Sequence, residues 1–491
     1  MVKELIDYYC IGAFMDIYDH ERMRQFFAPK NIAIVGASSR NAWFGNMLNN
    51  SERLGSGCCF YPVNPKAEEI SGVKAYKSIA DLPESVIDFG VVMVKASLAF
   101  DAVQQLAKRG IKNLFLISSG YAETGEKGTL QQSELQKYCN ENDIKLIGPN
   151  CLGFMNVADR YSIFCGGAVE GKFLPGAIGI VGQSGATSEI IATRLLQKML
   201  GISLYITTGN EAVITAEDCI EYLIHDETTR VITGFIEEFR NVTKLKEVTL
   251  QAAQKGIPLI LIKIGRSDKG SQAARSHTGA LSGNDAVLDG FFRQYGIIRV
   301  DTIEELIETA GIFTHCSLPA GDGLGIYTLS GGLGGLYADL CSDLGIRLPS
   351  FSRQTISRLM AVLPDFAAPD NPLDLTGAGF RSGTEKIFEI LGSDENINII
   401  APLCIPPQGA FDSDLARAIN EIFISRMDGI GKTIVPIPFT EMNDHAREYF
   451  HKSGVYPIEQ PELGFRAIAH LIRYSQFLRK TGNIKEKREN H

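Results

Sequence analysis

The 491-residue sequence has no apolar run of the length a transmembrane helix needs, which excludes a helical membrane protein. Its ten cysteines show no C-x-x-C spacing, and only Cys58 and Cys59 stand close together. Neither structural zinc nor a disulfide framework is therefore expected, and no metal ligands are assigned. There is no basic excess either. The formal net charge of -9 argues against a dedicated nucleic-acid binder, which would need cations to displace counterions. The one basic cluster, FLRKTGNIKEKRENH, is interrupted by acids and a glycine and reads as a solvated tail. The opening stretch up to Arg24 carries acids among its apolar residues and no small-residue cleavage pattern, so a reducing, cytoplasmic setting is expected.

What the sequence does have is one repeated grammar: a short apolar run, a Gly/Ser-rich turn, then a helical pattern. It appears at IAIVG (Ile32–Gly36), FGVVMV (Phe89–Val94), NLFLIS (Asn113–Ser118) and IKLIG (Ile144–Gly148). It restarts at LPGAIGIVGQSGAT (Leu174–Thr187) and again at LGIYTLSGGLGGLYADL (Leu324–Leu340). Apolar strands alternating with helices predict βαβ units and parallel sheets. The fold class is α/β, with three tandem open parallel-sheet domains. The boundaries fall at 25–155, 156–318 and 319–478, preceded by an extension over 1–24 and followed by a tail over 479–491.

Three strand-to-helix turns, VGASSRNAWFG, VGQSGAT and LSGGLGG, each aim backbone N–H groups at one point, as anion sites do. The first lacks the second glycine of the dinucleotide pattern G-x-G-x-x-G. The following strand ends in Asn64-Pro65-Lys66 instead of the acid that binds a ribose hydroxyl. A lysine there suits a ligand with an extra sugar phosphate, which fits coenzyme A, leaves NADP open and disfavours NAD. Gly36 and Ser38 supply the turn. In the second turn Gln183, Ser184, Gly185 and Ala186 begin a helix with no cation among them, which fits a small anion such as phosphate.

ARSHTGALSG (Ala274–Gly283) sets a single histidine, His277, among very small residues. A mostly neutral imidazole is a competent nitrogen nucleophile, and small neighbours tolerate a phosphoryl group upon it. The bland alternative is a surface histidine without a role. Glu237 and Glu238, ending VITGFIEE, are placed to accept the ring's other N–H; one of the pair is an ordinary solvated acid.

IAIVGASS, YPVNPK, SSGYAETG, LIGPNCLGFMN, VGQSGA, TTGNEA, FIEE, SHTGALSGND, SGGLGGLYAD and NPLDLTG occur in an order that resembles the α-type subunit of the NDP-forming (ADP-forming) acyl-CoA synthetases. The likeness to the succinyl-CoA synthetase α subunit is more distant. The resemblance implies a Rossmann-like CoA-binding domain followed by two flavodoxin-like ligase domains. It implies an acid–thiol ligase that interconverts acyl-CoA, ADP and phosphate with carboxylic acid, CoA and ATP. The route runs through an acyl phosphate and a phosphohistidine. Carried over, the phosphohistidine falls on His277, its orienting glutamate on Glu237, and the phosphate cradle on Ser184-Gly185-Ala186. The CoA site falls on Gly36, Ser38, Asn64, Pro65 and Lys66, with acyl transfer near Asn150-Cys151.

Two positions depart from the family pattern. Val94-Lys95-Ala96 stands where V-P-A is usual, and Glu238 stands where glycine usually follows the glutamate. Nothing after the third domain looks like an ATP-grasp module. The resemblance therefore implies a separate ATP-grasp β-type subunit that brings ADP/ATP and Mg2+, in an α2β2 assembly acting on a small carboxylic acid or its acyl-CoA. Two rival readings compete: a non-catalytic CoA-binding regulatory protein, and an NADP-dependent oxidoreductase suggested by the first domain alone.

Overall fold

The structure is a computed structural model that describes residues 20–40, 42–84, 86–167, 169–267, 269–270, 285–375, 383–427 and 429–483. The chain divides into two compact units, Met1–Arg299 and Val300–His491.

The first unit opens with β1 (Asn31–Val35), α1 (Ala42–Leu54), β2 (Cys59–Val63), β3 (Phe89–Val92), α2 (Ala96–Lys108), β4 (Asn113–Leu116), α3 (Glu126–Glu141) and β5 (Lys145–Ile147). The strands are short apolar runs such as NIAIV and FGVV, buried almost throughout, as strands covered by helices must be. They pair in parallel in the order β2-β1-β3-β4-β5. The order reverses between β1 and β3, and a crevice at such a switch point is where open α/β sheets bind ligands.

The same unit continues with β6 (Phe154–Asn156), β7 (Tyr161–Ser162), β8 (Pro175–Gly182), α4 (Gly185–Gln197), β9 (Ile202–Thr207), α5 (Ala216–His225), β10 (Val231–Ile236), α6 (Val242–Lys255), β11 (Leu259–Lys263), α7 (Asp285–Tyr295) and β12 (Ile298–Val300). The sheet order is β12-β11-β10-β8-β9-β6-β7. It is parallel at its centre, but β6 pairs antiparallel with β9, and β7 antiparallel with β6. The expectation of a wholly parallel sheet is corrected at this edge. Segments of three and two residues are too short to show a period in the sequence. The packed chain also begins earlier than residue 25. Met23, Phe26 and Phe27 are buried, and Phe27 packs edge-on against Phe154 with ring centroids 4.9 Å apart. Arg22 reaches Asp143 at 2.5 Å.

The second unit contains α8 (Ile303–His315), β13 (Leu324–Thr328), α9 (Gly331–Leu344), α10 (Arg353–Met360), β14 (Leu373–Asp374), α11 (Thr384–Gly392), β15 (Ile399–Cys404), α12 (Asp414–Ile424), β16 (Thr433–Ile434), β17 (Ile437–Pro438), α13 (Asp444–Lys452) and α14 (Pro461–Lys480). Its strands run β14-β13-β15-β16, with β17 also on β15, all parallel. Helix α8 lies along α14 within this unit, although the sequence boundary at 318 groups it with the middle sheet. Its apolar stripe of Leu306, Ile307 and Ala310 identifies a buried face but not the sheet that buries it. Among the described residues, no helix is long and apolar enough to cross a membrane.

Candidate active site

The sequence-identified residues of the first unit gather at the carboxyl ends of its strands. Leaving β1, Gly36 adopts φ +88°, and a Cβ there would lie 2.6 Å from Val94 Cγ1. Only glycine fits that turn without strain. Asn64, leaving β2, donates from Nδ2 to Ala37 O at 2.8 Å and accepts the Lys66 N–H at 2.8 Å. The two strand ends are thereby clamped together. Ser38 Oγ accepts the Arg40 N–H at 3.1 Å, and the Pro65 and Lys66 side chains are exposed. An open glycine turn beside an exposed lysine fits a phosphate-bearing ligand such as CoA.

Asn150 and Cys151, leaving β5, have different fates. Asn150 takes φ +59°, receives its place from an N–H bond to Ser118 O at 3.1 Å, and points its amide to Asn210 Oδ1 at 3.3 Å. Cys151 is 3% exposed within the apolar core, and burial pushes its thiol up to about 12. Its assignment to the CoA site is corrected for the side chain: a sulfur facing the core has no surface to offer a ligand.

In the second sheet, Ser184 caps α4, donating to Thr187 Oγ1 at 3.0 Å and accepting from Thr187 N at 3.5 Å. The first amides of the helix lack intrahelical partners and lie at its positive end, which suits phosphate. A Cβ on Gly185 would come within 2.8 Å of Leu152 Cδ1, so the helix start sits directly against the segment that follows Asn150-Cys151. Ala186 is exposed beside it.

The Glu237–Glu238 turn, leaving β10, is bound to the end of β8. Gln183 Oε1 accepts from Glu237 N at 2.6 Å and Glu238 N at 2.9 Å, while its Nε2 donates to Glu238 O at 2.6 Å. Glu237 is half-buried. His277, the proposed carrier, lies outside the described residues, within 271–284.

Behind this turn is a charged layer that motif spacing did not single out. Glu211 is fully buried and accepts from Thr208 Oγ1 at 2.8 Å and Ala216 N at 3.0 Å. Arg240 approaches Glu211 Oε2 at 3.4 Å and Glu238 Oε2 at 2.6 Å. Burial pushes the Glu211 carboxyl up to about 7, with Arg240 opposing and Glu217 reinforcing the rise. Glu238 is also raised, first by burial and against Arg240. Lys263, ending β11, is lowered by burial and then by Arg299.

Residues 30–157 match the CoA binding domain family, and residues 175–313 match the succinyl-CoA ligase like flavodoxin domain. The α subunit of acetate–CoA ligase [ADP-forming] II from Pyrococcus furiosus is 31% identical over 439 residues, covering 89% of this chain and 94% of that one. A trans-feruloyl-CoA synthase from an unknown prokaryotic organism is 32% identical over 473 residues, covering 94% of this chain and 66% of its own length. The solved structure of the dinucleotide forming acetyl-coenzyme A synthetase 1 of Ca. Korarchaeum cryptofilum, in complex with phosphate and ADP, matches with a TM-score of 0.81 at 25% identity, over 94% of this chain and 99% of that chain. The chain belongs to the ADP-forming acyl-CoA synthetase α-subunit family. Acetate and feruloyl names at near-equal identity show that the acyl group varies among its relatives.

Within this α-subunit fold, the residues missing from the sequence assignment are Asn210, Glu211 and Arg240. The first two belong to TTGNEA, a stretch that marks the resemblance without stating a role. Their importance comes from partners far away in sequence: Asn210 bonds Glu123 and Gln132, and Arg240 reaches back to Asn210 O at 3.4 Å.

Proposed function

We propose that this chain is the α subunit of an ADP-forming acyl-CoA synthetase, interconverting acyl-CoA, ADP and phosphate with a carboxylic acid, CoA and ATP. The observation that carries this reading is the convergence at α4. Its anion-binding start touches Leu152 on one side, while Gln183, immediately before it, holds the Glu237 turn on the other. A phosphate there has an acyl-transfer segment and a candidate imidazole-orienting acid as neighbours.

In the ATP-forming direction, phosphate at Ser184-Gly185-Ala186 attacks the thioester carbonyl carbon. A C–O bond forms, the C–S bond breaks, and CoA leaves as the thiol with the phosphate proton. The neutral His277 imidazole then attacks phosphorus; the P–O bond to the acyl oxygen breaks and the carboxylate departs. Glu237 accepts the other ring N–H, stabilising the positive charge that develops on the imidazole. An oxygen of the ADP terminal phosphate takes the phosphoryl group, giving ATP and neutral imidazole. The CoA residues are Gly36, Ser38, Asn64, Pro65, Lys66 and Asn150.

Nucleotide and Mg2+ are assigned to a separate ATP-grasp β-type subunit, in an α2β2 assembly. What supports a partner is the name of the Pyrococcus furiosus relative, which is called a subunit alpha. The test is phosphate incorporation. Purified chain, labelled ATP, Mg2+ and partner-containing extract should give acid-labile, base-stable label on the wild type and none on His277→Asn, which should still bind CoA. Absence of label on the wild type, with CoA bound and partner present, would move the assignment to a CoA-binding protein without turnover.

A further inference from the structure

Motif position places Gln183 among the phosphate-binding residues, yet its polar atoms face protein. Its amide oxygen accepts two N–H groups, from Glu237 at 2.6 Å and Glu238 at 2.9 Å. Its amide nitrogen donates to Glu238 O at 2.6 Å. Its backbone N–H is taken as well, by Phe235 O at 3.1 Å. A primary amide has two donor hydrogens and two acceptor lone pairs, so these bonds take both acceptor sites and one of the two donors. The side chain is 7% exposed.

Two successive N–H groups converging on one oxygen form a small nest, a geometry that attracts anions. At the end of β10 that nest is filled by a neutral amide oxygen from β8. Phosphate is thereby excluded from the Glu237–Glu238 backbone, while the turn is fixed relative to the start of α4. The nitrogen end of the amide closes on the same turn, at Glu238 O, so both ends of the side chain hold one segment.

We propose that Gln183 is a positioning residue: it sets the Glu237–Glu238 turn, and through it the Glu237 carboxylate, and it is not a phosphate ligand. This rests on reading Glu237 as the group that orients His277. Gln183→Met keeps the length of the side chain and removes all three hydrogen bonds. Gln183→Glu keeps the shape but sets an acceptor against Glu238 O.

The experiment uses the partner-complemented enzyme with Gln183→Met, Gln183→Glu, Glu237→Gln and the double variant Gln183→Met/Glu237→Gln. Both Gln183 variants should lower kcat about tenfold or more while the KM for phosphate stays within about twofold. The double variant should fall no more than about threefold below Glu237→Gln alone, because both changes disable one device. A tenfold rise in phosphate KM with kcat retained, or multiplicative losses in the double variant, would overturn the proposal.

Amide hydrogen exchange on the wild-type chain gives a readout independent of activity and of how the variants fold. The Glu237 and Glu238 amides should be protected to the level of β10 itself, and rapid exchange at both would also overturn the proposal. Lack of His277 label on the wild type instead sinks the relay assignment, leaving the exchange result to report on Gln183.

Discussion

Asn210 donates its side-chain amide to the Glu123 carboxylate at 2.5 Å, across 87 residues of sequence. The same residue gives its backbone N–H to Pro149 O at 2.9 Å and accepts from Asn150 Nδ2 at 3.3 Å. Gln132 donates to its carbonyl at 3.2 Å. Backbone bonds from Ala212 to Gly148 O and from Ile214 to Leu146 O continue the seam. Within the first unit, the carboxyl ends of the two sheets are joined through the residues that follow β9.

Asn210→Ala should therefore destabilise the protein by about 1–3 kcal/mol, the cost of leaving partly buried partners unsatisfied. Asn210→Asp should do worse at pH 7.5, since it places a second carboxylate against Glu123 in a site 6% exposed. Thermal melting of the two variants beside wild type checks both expectations. Equal melting temperatures for Ala and Asp would mean that the contact with Glu123 has little energetic weight.

Glu211 predicts a pH dependence with a definite sign. Burial raises its folded-state carboxyl from an ordinary 4.5 to about 7. Between those values the folded chain holds a proton that the unfolded chain has released. Stability from this group is therefore present at the acid side of the window and is lost as pH rises through 7, by about 3 kcal/mol at most. Glu211→Gln cannot ionise. Its melting temperature relative to wild type should be more favourable at pH 8 than at pH 5, and comparing within the pair cancels the other titrating groups. A difference that does not change with pH would show that Glu211 remains ionised throughout.

The parts of this protein that were legible in sequence are local ones. Apolar strand runs, Gly/Ser turns and helix starts at Gly36 and Ser184 each lie within a few residues of one another, so one window contains the whole signal. The edge strands β6 and β7 are too short for such a window. Gln183 was read correctly as lying at a helix start and differently as to its partners. Those partners lie 54 and 55 residues away and depend on β10 pairing with β8 while β9 takes β8's other side. The left-handed backbone at Glu211, φ +59°, leaves no trace in residue type, whereas at Asn150 it falls on a residue that tolerates it. Cys151 faces the core, and proximity in sequence to Asn150 says nothing about which way the next side chain points.

The last prediction concerns Lys66. Asn64 fixes the backbone on both sides of Pro65, through Ala37 O and the Lys66 N–H, so the lysine leaves a defined point with an exposed side chain. If its ammonium meets the sugar phosphate of CoA, Lys66→Ala should weaken CoA binding about tenfold, or about 1.4 kcal/mol. Dephospho-CoA, which lacks that phosphate, should lose less than about twofold. Calorimetric titration of both ligands into wild type and variant separates the cases. Because the ammonium–phosphate contact is exposed, the CoA difference should also shrink as salt rises. Equal losses for the two ligands would place the lysine on another part of the molecule, and the clamp at Asn64 would then serve the glycine turn alone.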